Sequence, residues 1–286
     1  MLQNHATLSQ IRRFLQKELR KIYSENESSS IARLIFEHLG YPSSVYLQDP
    51  ERIPDTATKA QITEIVSEIH SGRPIQYILG YTYFCEMKIR VNESVLIPRP
   101  ETEEMVINIR SQNSEALSRI IDLGCGSGCI ALAMKKLYPE AEVIGIDLSR
   151  EALEISQQNG RLNNLDIRWI YGDLMDPELL KTEAPFSLVV GNPPYVLKSE
   201  RELMTNNVLD YEPGSALFVN DSDPLIHYRS IAAFCKTRLM EGGLFWVEIN
   251  EQFGDETARL FRKAGFKHVA IIKDIHGKER FVNGRK

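Results

Sequence analysis

The spacing of apolar positions changes twice along the chain. Up to about residue 72, Ile11, Leu15, Leu19 and Ile22 recur at helical spacing, as do Ile31, Leu34, Ile35 and Leu39, and Gly40-Tyr41-Pro42 ends the second helix. A further helix is predicted from Lys59 to His70, with Ile62, Ile65, Val66 and Ile69 on one face and Ser71-Gly72-Arg73-Pro74 closing it. Glu25 to Ser30 stands out as a polar low-complexity tract. Aromatic and β-branched residues dominate from Tyr77 to Val91. There Phe84, Met87, Ile89, Val91 and Val95 predict a short β-hairpin that turns at Asn92-Glu93-Ser94 or before it. From about residue 101 short apolar strands alternate with helical stretches, the pattern of a parallel sheet with right-handed crossovers. The predicted organisation is a helical unit over 1–73, a β-hairpin linker over 74–98 and an α/β domain over 99–286.

Four strand ends of the α/β part carry candidate chemistry. Ile120-Ile121-Asp122-Leu123 runs into Gly124-Cys125-Gly126-Ser127-Gly128 and then a helix-like stretch from Cys129 to Leu137. Glycines permit positive φ and remove the β-carbon, so a ligand can lie against the backbone near a helix N-terminus. The next strand, Val143-Ile144-Gly145-Ile146, ends in Asp147, placed to accept hydrogen bonds from both hydroxyls of a ribose. Asp147 follows the first glycine by about 20 positions, the separation expected of folds that bind nucleoside cofactors. The third strand, Ile167 to Tyr171, leads into Gly172-Asp173-Leu174, with a carboxylate and backbone groups suited to an adenine.

The fourth strand, Phe186 to Gly191, stops at Asn192-Pro193-Pro194-Tyr195. Neither proline donates a backbone hydrogen bond, and each biases the residue before it toward an extended conformation, so Asn192 is held at the strand's edge. The carbonyls of Asn192 and Pro193 are then free acceptors, and Tyr195 offers an aromatic face to a flat group. Such a set holds a planar NH2. Ligand groups at successive carboxyl ends fit the crevice at the switch point of an open α/β sheet. Between a nicotinamide dinucleotide and S-adenosylmethionine, the G-x-G-x-G pattern favours the latter, because it lacks the wider G-x-G-x-x-G spacing that accommodates a pyrophosphate.

These residues resemble the Rossmann-like, seven-stranded class I methyltransferases that use S-adenosylmethionine. More closely, the chain resembles the HemK/PrmC release-factor glutamine methyltransferases over about residues 60 to 285. The closer likeness rests on Pro74-Ile75-Gln76-Tyr77-Ile78-Leu79-Gly80, on Val95 to Glu103, and on Tyr211-Glu212-Pro213 with Ala216-Leu217. It departs from that family's pattern at Cys125, where Thr is usual, and at Asn250 in Glu248-Ile249-Asn250, where Gly is expected. The resemblance implies methyl transfer to the side-chain amide nitrogen of the glutamine in the Gly-Gly-Gln motif of class 1 peptide chain release factors. Asn192, Pro193 and Tyr195 would be catalytic, and Asn192 to Tyr195 would hold the substrate. Gly124, Cys125, Gly126, Ser127, Gly128, Asp147, Asp173, Leu174 and Asn192 would bind the cofactor, with no metal. The N-terminal helices read equally as a docking module for a protein substrate or as a cap that stabilises the catalytic domain; the resemblance favours docking, and it also implies that the last strand runs antiparallel. A helical His227 and a strand-end Glu248 are left outside this set as structural or solvated residues, and Arg99 between two prolines marks a helix start or a cofactor cover.

An adenine N6-methyltransferase acting on nucleic acid remains an alternative, since its target is also a conjugated NH2 reached after base flipping. A non-catalytic module that only binds cofactor or release factor is a second, and a nicotinamide-dependent oxidoreductase comes last. Charge weighs against the first: a formal −5 over 286 residues does not suit a protein that coats nucleic acid, because phosphate binding needs an excess of Lys and Arg. Four cysteines, at 85, 125, 129 and 235, lack the spacing of a zinc site and are expected as reduced thiols in the cytoplasm. Met1 to Gln10 contains no apolar signal core, and no stretch approaches a membrane span, so a cytoplasmic enzyme with no membrane partner is expected.

Overall fold

A computed structural model describes residues 5–112 and 116–286, so the first four residues of the N-terminal stretch considered above lie outside it. By its contacts the chain divides into two compact units, one of residues 1–80 and 206–211, the other of 81–205 and 212–286.

The first unit is helical. Helix α1 (Leu8–Leu19) starts at a capping box between Thr7 and Gln10 and buries Leu8, Ile11, Leu15 and Leu19. It stops before Ile22, which is half exposed. Helix α2 (Glu25–His38) starts at a second box between Ser24 and Glu27, so the polar tract Glu25 to Ser30 is the first turns of a helix rather than an irregular segment. Helix α3 (Ser43–Gln48) is short. Helix α4 (Thr56–His70) begins earlier than the apolar pattern suggests, because Asp55 accepts from the Thr58 N–H at 2.7 Å and caps a turn with no apolar marker. Helix α5 (Ile75–Leu79) places Tyr77 in a helix rather than a strand, and Gly80 ends it in a left-handed conformation.

The second unit opens with the predicted hairpin, strands β1 (Tyr81–Phe84) and β2 (Met87–Arg90), paired antiparallel. Its turn is Cys85-Glu86, both at positive φ as a two-residue hairpin turn requires. Then come α6 (Pro100–Gln112), β3 (Arg119–Leu123), α7 (Cys129–Leu137), β4 (Glu142–Asp147), α8 (Arg150–Asn163), β5 (Arg168–Tyr171), β6 (Phe186–Gly191) and β7 (Val196–Leu197). The short α9 (Asn206–Tyr211) belongs to the first unit, where the Tyr211 hydroxyl donates to the Ser71 carbonyl at 3.3 Å. The chain finishes with α10 (Gly214–Leu217), β8 (Phe218–Val219), α11 (Ile226–Arg238), β9 (Leu239–Glu248), α12 (Gly254–Lys263), β10 (Lys267–Lys273) and β11 (Glu279–Arg285).

Seven strands form the central sheet in the order β10-β11-β9-β6-β3-β4-β5. β5, β4, β3, β6 and β9 run parallel, and β11 is antiparallel to both of its neighbours. Strands β3 and β6 are buried almost throughout, as expected where helices cover both faces. One face packs Phe186, Phe245, Phe261 and Phe266 into the core, with the Phe245 and Phe261 rings stacked 4.0 Å apart. The hairpin packs on α8: Asn159 accepts from the Arg90 N–H and donates to its carbonyl, at 2.6 and 3.0 Å, and Asn163 donates to the Lys88 carbonyl at 3.0 Å. The order reverses at β3, whose neighbours β4 and β6 lie on opposite sides. The crevice therefore opens at the carboxyl ends of β3 and β6.

Candidate active site

The glycine turn at the end of β3 is built mostly by its own backbone. Gly124 and Cys125 donate to the Ile146 carbonyl at 2.9 and 2.8 Å, and the Gly128 N–H folds back on the Cys125 carbonyl at 2.7 Å. Gly128 has φ +80°, and a β-carbon there would sit 2.6 Å from the Trp169 ring, so both conformation and space demand glycine. The same indole packs against Gly145 in β4, where a β-carbon would come within 2.4 Å of it. From α8, the Ser156 hydroxyl donates to the Gly126 carbonyl at 2.8 Å and Asn159 to the Ser127 carbonyl at 2.9 Å. Cys125 is buried and lies 3.8 Å from the Ser156 hydroxyl, which fits a small apolar thiol at this position.

Two carboxylates stand beside the turn. Asp147 accepts from the Gly126 N–H at 2.8 Å and, through its other oxygen, from the Ser149 N–H at 2.9 Å. Burial pushes its carboxyl upward while those amides pull it down. Sequence predicts a ribose ligand at Asp147; in the structure it ties β4 to the glycine turn and keeps lone pairs to spare. Asp122 is fully buried and accepts from the Ala131 N–H at 3.1 Å, capping the start of α7. Burial raises its carboxyl to about 7, the Ala131 N–H opposes this, and the charge of Asp147 adds to it. Its second oxygen has no partner among the described residues. In the loop after β5, Asp173 is half-buried and accepts from the Met175 N–H at 2.8 Å, and Leu174 packs against the core.

At β6 the site is assembled from distant residues. Gly191 pairs with Leu123 on one side and Val247 on the other, so Asn192 emerges level with Glu248. Asn192 donates through Nδ2 to the Thr102 hydroxyl at 3.3 Å, and Thr102 donates to Glu248 at 2.7 Å. The other Glu248 oxygen accepts from the Tyr195 hydroxyl at 2.9 Å. Glu248 is only 1% exposed, and its backbone carbonyl accepts from the buried Tyr228 hydroxyl at 3.2 Å. Burial pushes the Glu248 carboxyl upward; Thr102, Tyr195 and the nearby Arg280 hold it down, and Glu101 adds to the rise. The Tyr195 phenol is pushed well up by burial and by that carboxylate.

Asn250 reaches the same loop, donating to the Tyr195 carbonyl at 3.3 Å and to Glu200 at 2.9 Å, while Glu200 accepts from the Leu197 N–H at 2.7 Å. The segment after the prolines is pinned again where β7 pairs with β8. Among the described residues, no protein group donates to the Asn192 side-chain oxygen or to the carbonyls of Asn192 and Pro193. The loop thus leaves these acceptors without protein donors, while the Asn192 amide and the Tyr195 hydroxyl donate to Thr102 and Glu248.

Thr102, Glu248 and Asn250 are residues that sequence reasoning left out. Their only signals were the segments containing them, Val95 to Glu103 and Glu248 to Asn250. Arg99 begins the approach to α6 and pairs with Glu212 at 2.6 Å; Glu212 also accepts from the Ile97 N–H at 3.3 Å, closing that segment onto Glu212. His227 lies in α11, where burial lowers its imidazole while Asp173 and Asp223 oppose the shift.

Two family models match the chain, the Methyltransferase small domain over residues 102–211 and the PrmC N-terminal domain over 10–80. In fold it is similar to a 16S rRNA methyltransferase of Thermus thermophilus solved in complex with AdoMet and guanosine, at TM-score 0.52 and 16% identity, over 72% of this chain and 49% of that one. It is similar also to a methyltransferase from Pyrococcus furiosus, at TM-score 0.51 and 14% identity, over 81% and 98% of the two chains. Among curated proteins, a release factor glutamine methyltransferase of Flavobacterium psychrophilum is 39% identical over 92% of this chain and 94% of its own length. The protein of that description from Bacteroides thetaiotaomicron is 35% identical over 98% of this chain and 100% of its own. With such identity carried through both of its units, the chain belongs to the release factor glutamine methyltransferase family.

Proposed function

We propose that this protein transfers a methyl group from S-adenosylmethionine to a release factor, at the side-chain amide nitrogen of the glutamine in the Gly-Gly-Gln motif of class 1 peptide chain release factors. The observation that carries the reading is the set of acceptors at Asn192 and Pro193 left without protein donors among the described residues, backed by the buried Thr102 and Glu248 and the partly buried Tyr195. The residues present fit the cofactor. The places where β-carbons of Gly124 and Gly126 would stand are open, so a ligand can lie on the backbone there. Asp147 keeps lone pairs for ribose hydroxyls, Asp173 and Leu174 are placed for the base, and the orphaned Asp122 oxygen suits the ammonium of a methionine moiety.

When bound, S-adenosylmethionine supplies a methyl group made electrophilic by its sulfonium. A carboxamide nitrogen is a poor nucleophile because its lone pair is shared with the carbonyl. The Asn192 side-chain oxygen and the Pro193 carbonyl accept its two N–H groups, orient it toward the methyl and stabilise the positive charge that develops on it. The methylated nitrogen is then strongly acidic and loses its proton to water, so no side-chain base is needed. The Tyr195 ring packs on the glutamine side chain while its hydroxyl stays tied to Glu248.

The N-terminal helical unit is assigned to docking the protein substrate, since a glutamine at a loop tip is too small a target to be recognised alone. Its exposed Ile22, Leu47 and Ile53 are suitable contacts. The four cysteines are free thiols, in keeping with a reducing compartment, and we place the reaction in the cytoplasm. Among the described residues no helix is long and apolar enough to cross a membrane.

The test is transfer of labelled methyl from S-adenosylmethionine to purified release factor, with total RNA and DNA in parallel and mass-spectrometric mapping of the product. Label on the Gly-Gly-Gln glutamine is expected. Label on nucleic acid alone would move the same loop to an adenine methyltransferase, and no label anywhere would leave a binding module.

A further inference from the structure

The Asn192 amide has two ends of opposite character, and the acceptor nitrogen requires the oxygen end. Turned over, the loop would present a donor to a donor. Asn192 and its prolines alone do not decide between the two orientations, because an amide is nearly symmetric in shape and the acceptor side is open. The decision has to come from behind, where the amide meets the Thr102 hydroxyl at 3.3 Å.

We propose that Glu248 and Thr102 are positioning residues, forming a hydrogen-bond relay that fixes which end of the Asn192 amide faces the substrate nitrogen. The inference rests on the methyl-transfer reading above and names what enforces its geometry. A carboxylate only accepts. Glu248 has one oxygen on the Tyr195 hydroxyl at 2.9 Å and the other on the Thr102 hydroxyl at 2.7 Å. The single proton of Thr102 is therefore spent on Glu248, and its oxygen offers only lone pairs to Asn192. Nδ2 must face Thr102, and Oδ1 is left pointing away with no partner among the described residues. Inverting the amide would set two oxygens against each other in a site where Thr102 is 3% and Glu248 1% exposed, screened from bulk solvent.

Burial explains why the relay needs a carboxylate rather than another hydroxyl. A second hydroxyl could donate as well as accept and would leave the direction of the chain open. The Glu248 backbone carbonyl is itself held by Tyr228, and β9 fixes the level of the carboxylate beside Asn192, so the relay starts from a rigid strand end.

The test compares Thr102→Val, Thr102→Ser and Glu248→Gln in the full-length protein. Valine keeps the shape and removes the hydroxyl; serine keeps the hydroxyl and leaves only a methyl-sized gap. Thr102→Val is expected to lower kcat for release factor about 10²-fold, the scale of a small misplacement at a reacting centre. S-adenosylmethionine affinity by calorimetry stays unchanged, and Thr102→Ser recovers most of the rate. In Glu248→Gln the new NH2 lets the Thr102 hydroxyl turn toward Asn192, so kcat falls in the same way. A readout independent of turnover is the Asn192 side-chain amide resonance in protein labelled with 15N-asparagine, assigned by its absence in Asn192→Ala. Its protons are shifted and protected in the wild type and in Thr102→Ser, and lose both properties in Thr102→Val. Wild-type kcat in Thr102→Val, or a Thr102→Ser as damaged as Thr102→Val, would overturn the relay, as would an Asn192 signal unmoved by loss of the hydroxyl. If the wild type methylates no release factor while the Asn192 signal behaves as described, the functional reading fails and the relay stands.

Discussion

The two halves of the crevice are held in place by different means. At β3 and β4 the glycine turn is shaped by its own backbone and by nearer parts of the chain: its amides bond the end of the adjacent strand, its glycines take positive φ, and Asp147 ties the two strands together. At β6 the Asn192 loop is held by side chains from far along the chain. Thr102 lies 90 residues before Asn192, and Glu248 lies 53 after Tyr195. The first half offers backbone and carboxylates and leaves no room for a β-carbon at Gly128 or Gly145. The second works through the polarity of a few hydroxyls and one buried acid. Substitutions in the first should therefore be read in cofactor affinity and stability, and those in the second in turnover.

Asn192→Ala is the sharpest test of that division. Removing the acceptor aimed at the reacting nitrogen should cost about 10²- to 10³-fold in kcat, the scale of losing one preorganised polar contact to a transition state. Calorimetry should find S-adenosylmethionine bound as in the wild type. Loss of cofactor binding in parallel would make Asn192 chiefly a cofactor ligand and erase the contrast between the halves. The complementary substitution is Gly128→Ala. Its β-carbon would meet the Trp169 ring at 2.6 Å in a left-handed conformation, so strain and overpacking together should cost on the order of 3 kcal/mol. A lowered thermal midpoint with weakened cofactor binding is expected; a variant with normal affinity and depressed kcat would contradict it.

Asp122 sharpens the comparison through pH. Both Asp122 and Glu248 are buried acids at strand ends, but Glu248 is matched on each oxygen by a hydroxyl whereas Asp122 keeps one oxygen bare. Its carboxyl is raised to about 7 in the folded chain. The ordinary unfolded value is about 4, so the folded state binds the extra proton between these limits. The stability this group contributes is fully present below about pH 4 and is lost as pH rises through about 7. Asparagine does not ionise, so Asp122→Asn removes that slope. Measured by denaturant midpoint without cofactor, the variant should gain relative to wild type between about pH 5 and about pH 8, by an amount on the order of 2 kcal/mol. A difference between the two proteins that does not change with pH would show that Asp122 is relieved in solution.

The same contrast explains what was legible in the sequence. The glycine turn, Asp147 and the proline-framed Asn192 could be read because each is a local rule: positive φ, a strand-end acid, a donor removed. The antiparallel last strand followed from the family likeness. Helix starts at Thr56 and Glu25 were missed or misread because caps made by Asp55 and Ser24 carry no apolar signal. Glu248 looked like a solvated strand-end acid because sequence does not show that Tyr195 and Thr102 converge on it. Pairing between residues so far apart is set by the sheet order, which places β9 beside β6, and by the packing of α6 against β9.

The smallest expected effect belongs to the departure at Asn250. Glycine is the residue that the family pattern suggests there, and the backbone, at φ −68°, does not require it. Asn250 instead donates to the Tyr195 carbonyl and to Glu200 and accepts from the Gln252 N–H at 3.0 Å. Asn250→Gly removes these bonds while β7, β8 and Glu200 continue to hold the loop, so it should lose about 1 kcal/mol of loop order, about fivefold in kcat. Cofactor affinity should not change, because nothing in the glycine turn touches this residue. Unchanged kcat at saturating cofactor would mean that Glu248 alone sets the position of Tyr195 and that Asn250 is only a cap for the turn that follows. A loss comparable to that of Thr102→Val would mean instead that the loop's backbone, and not only the polarity behind Asn192, is held by side chains from β9.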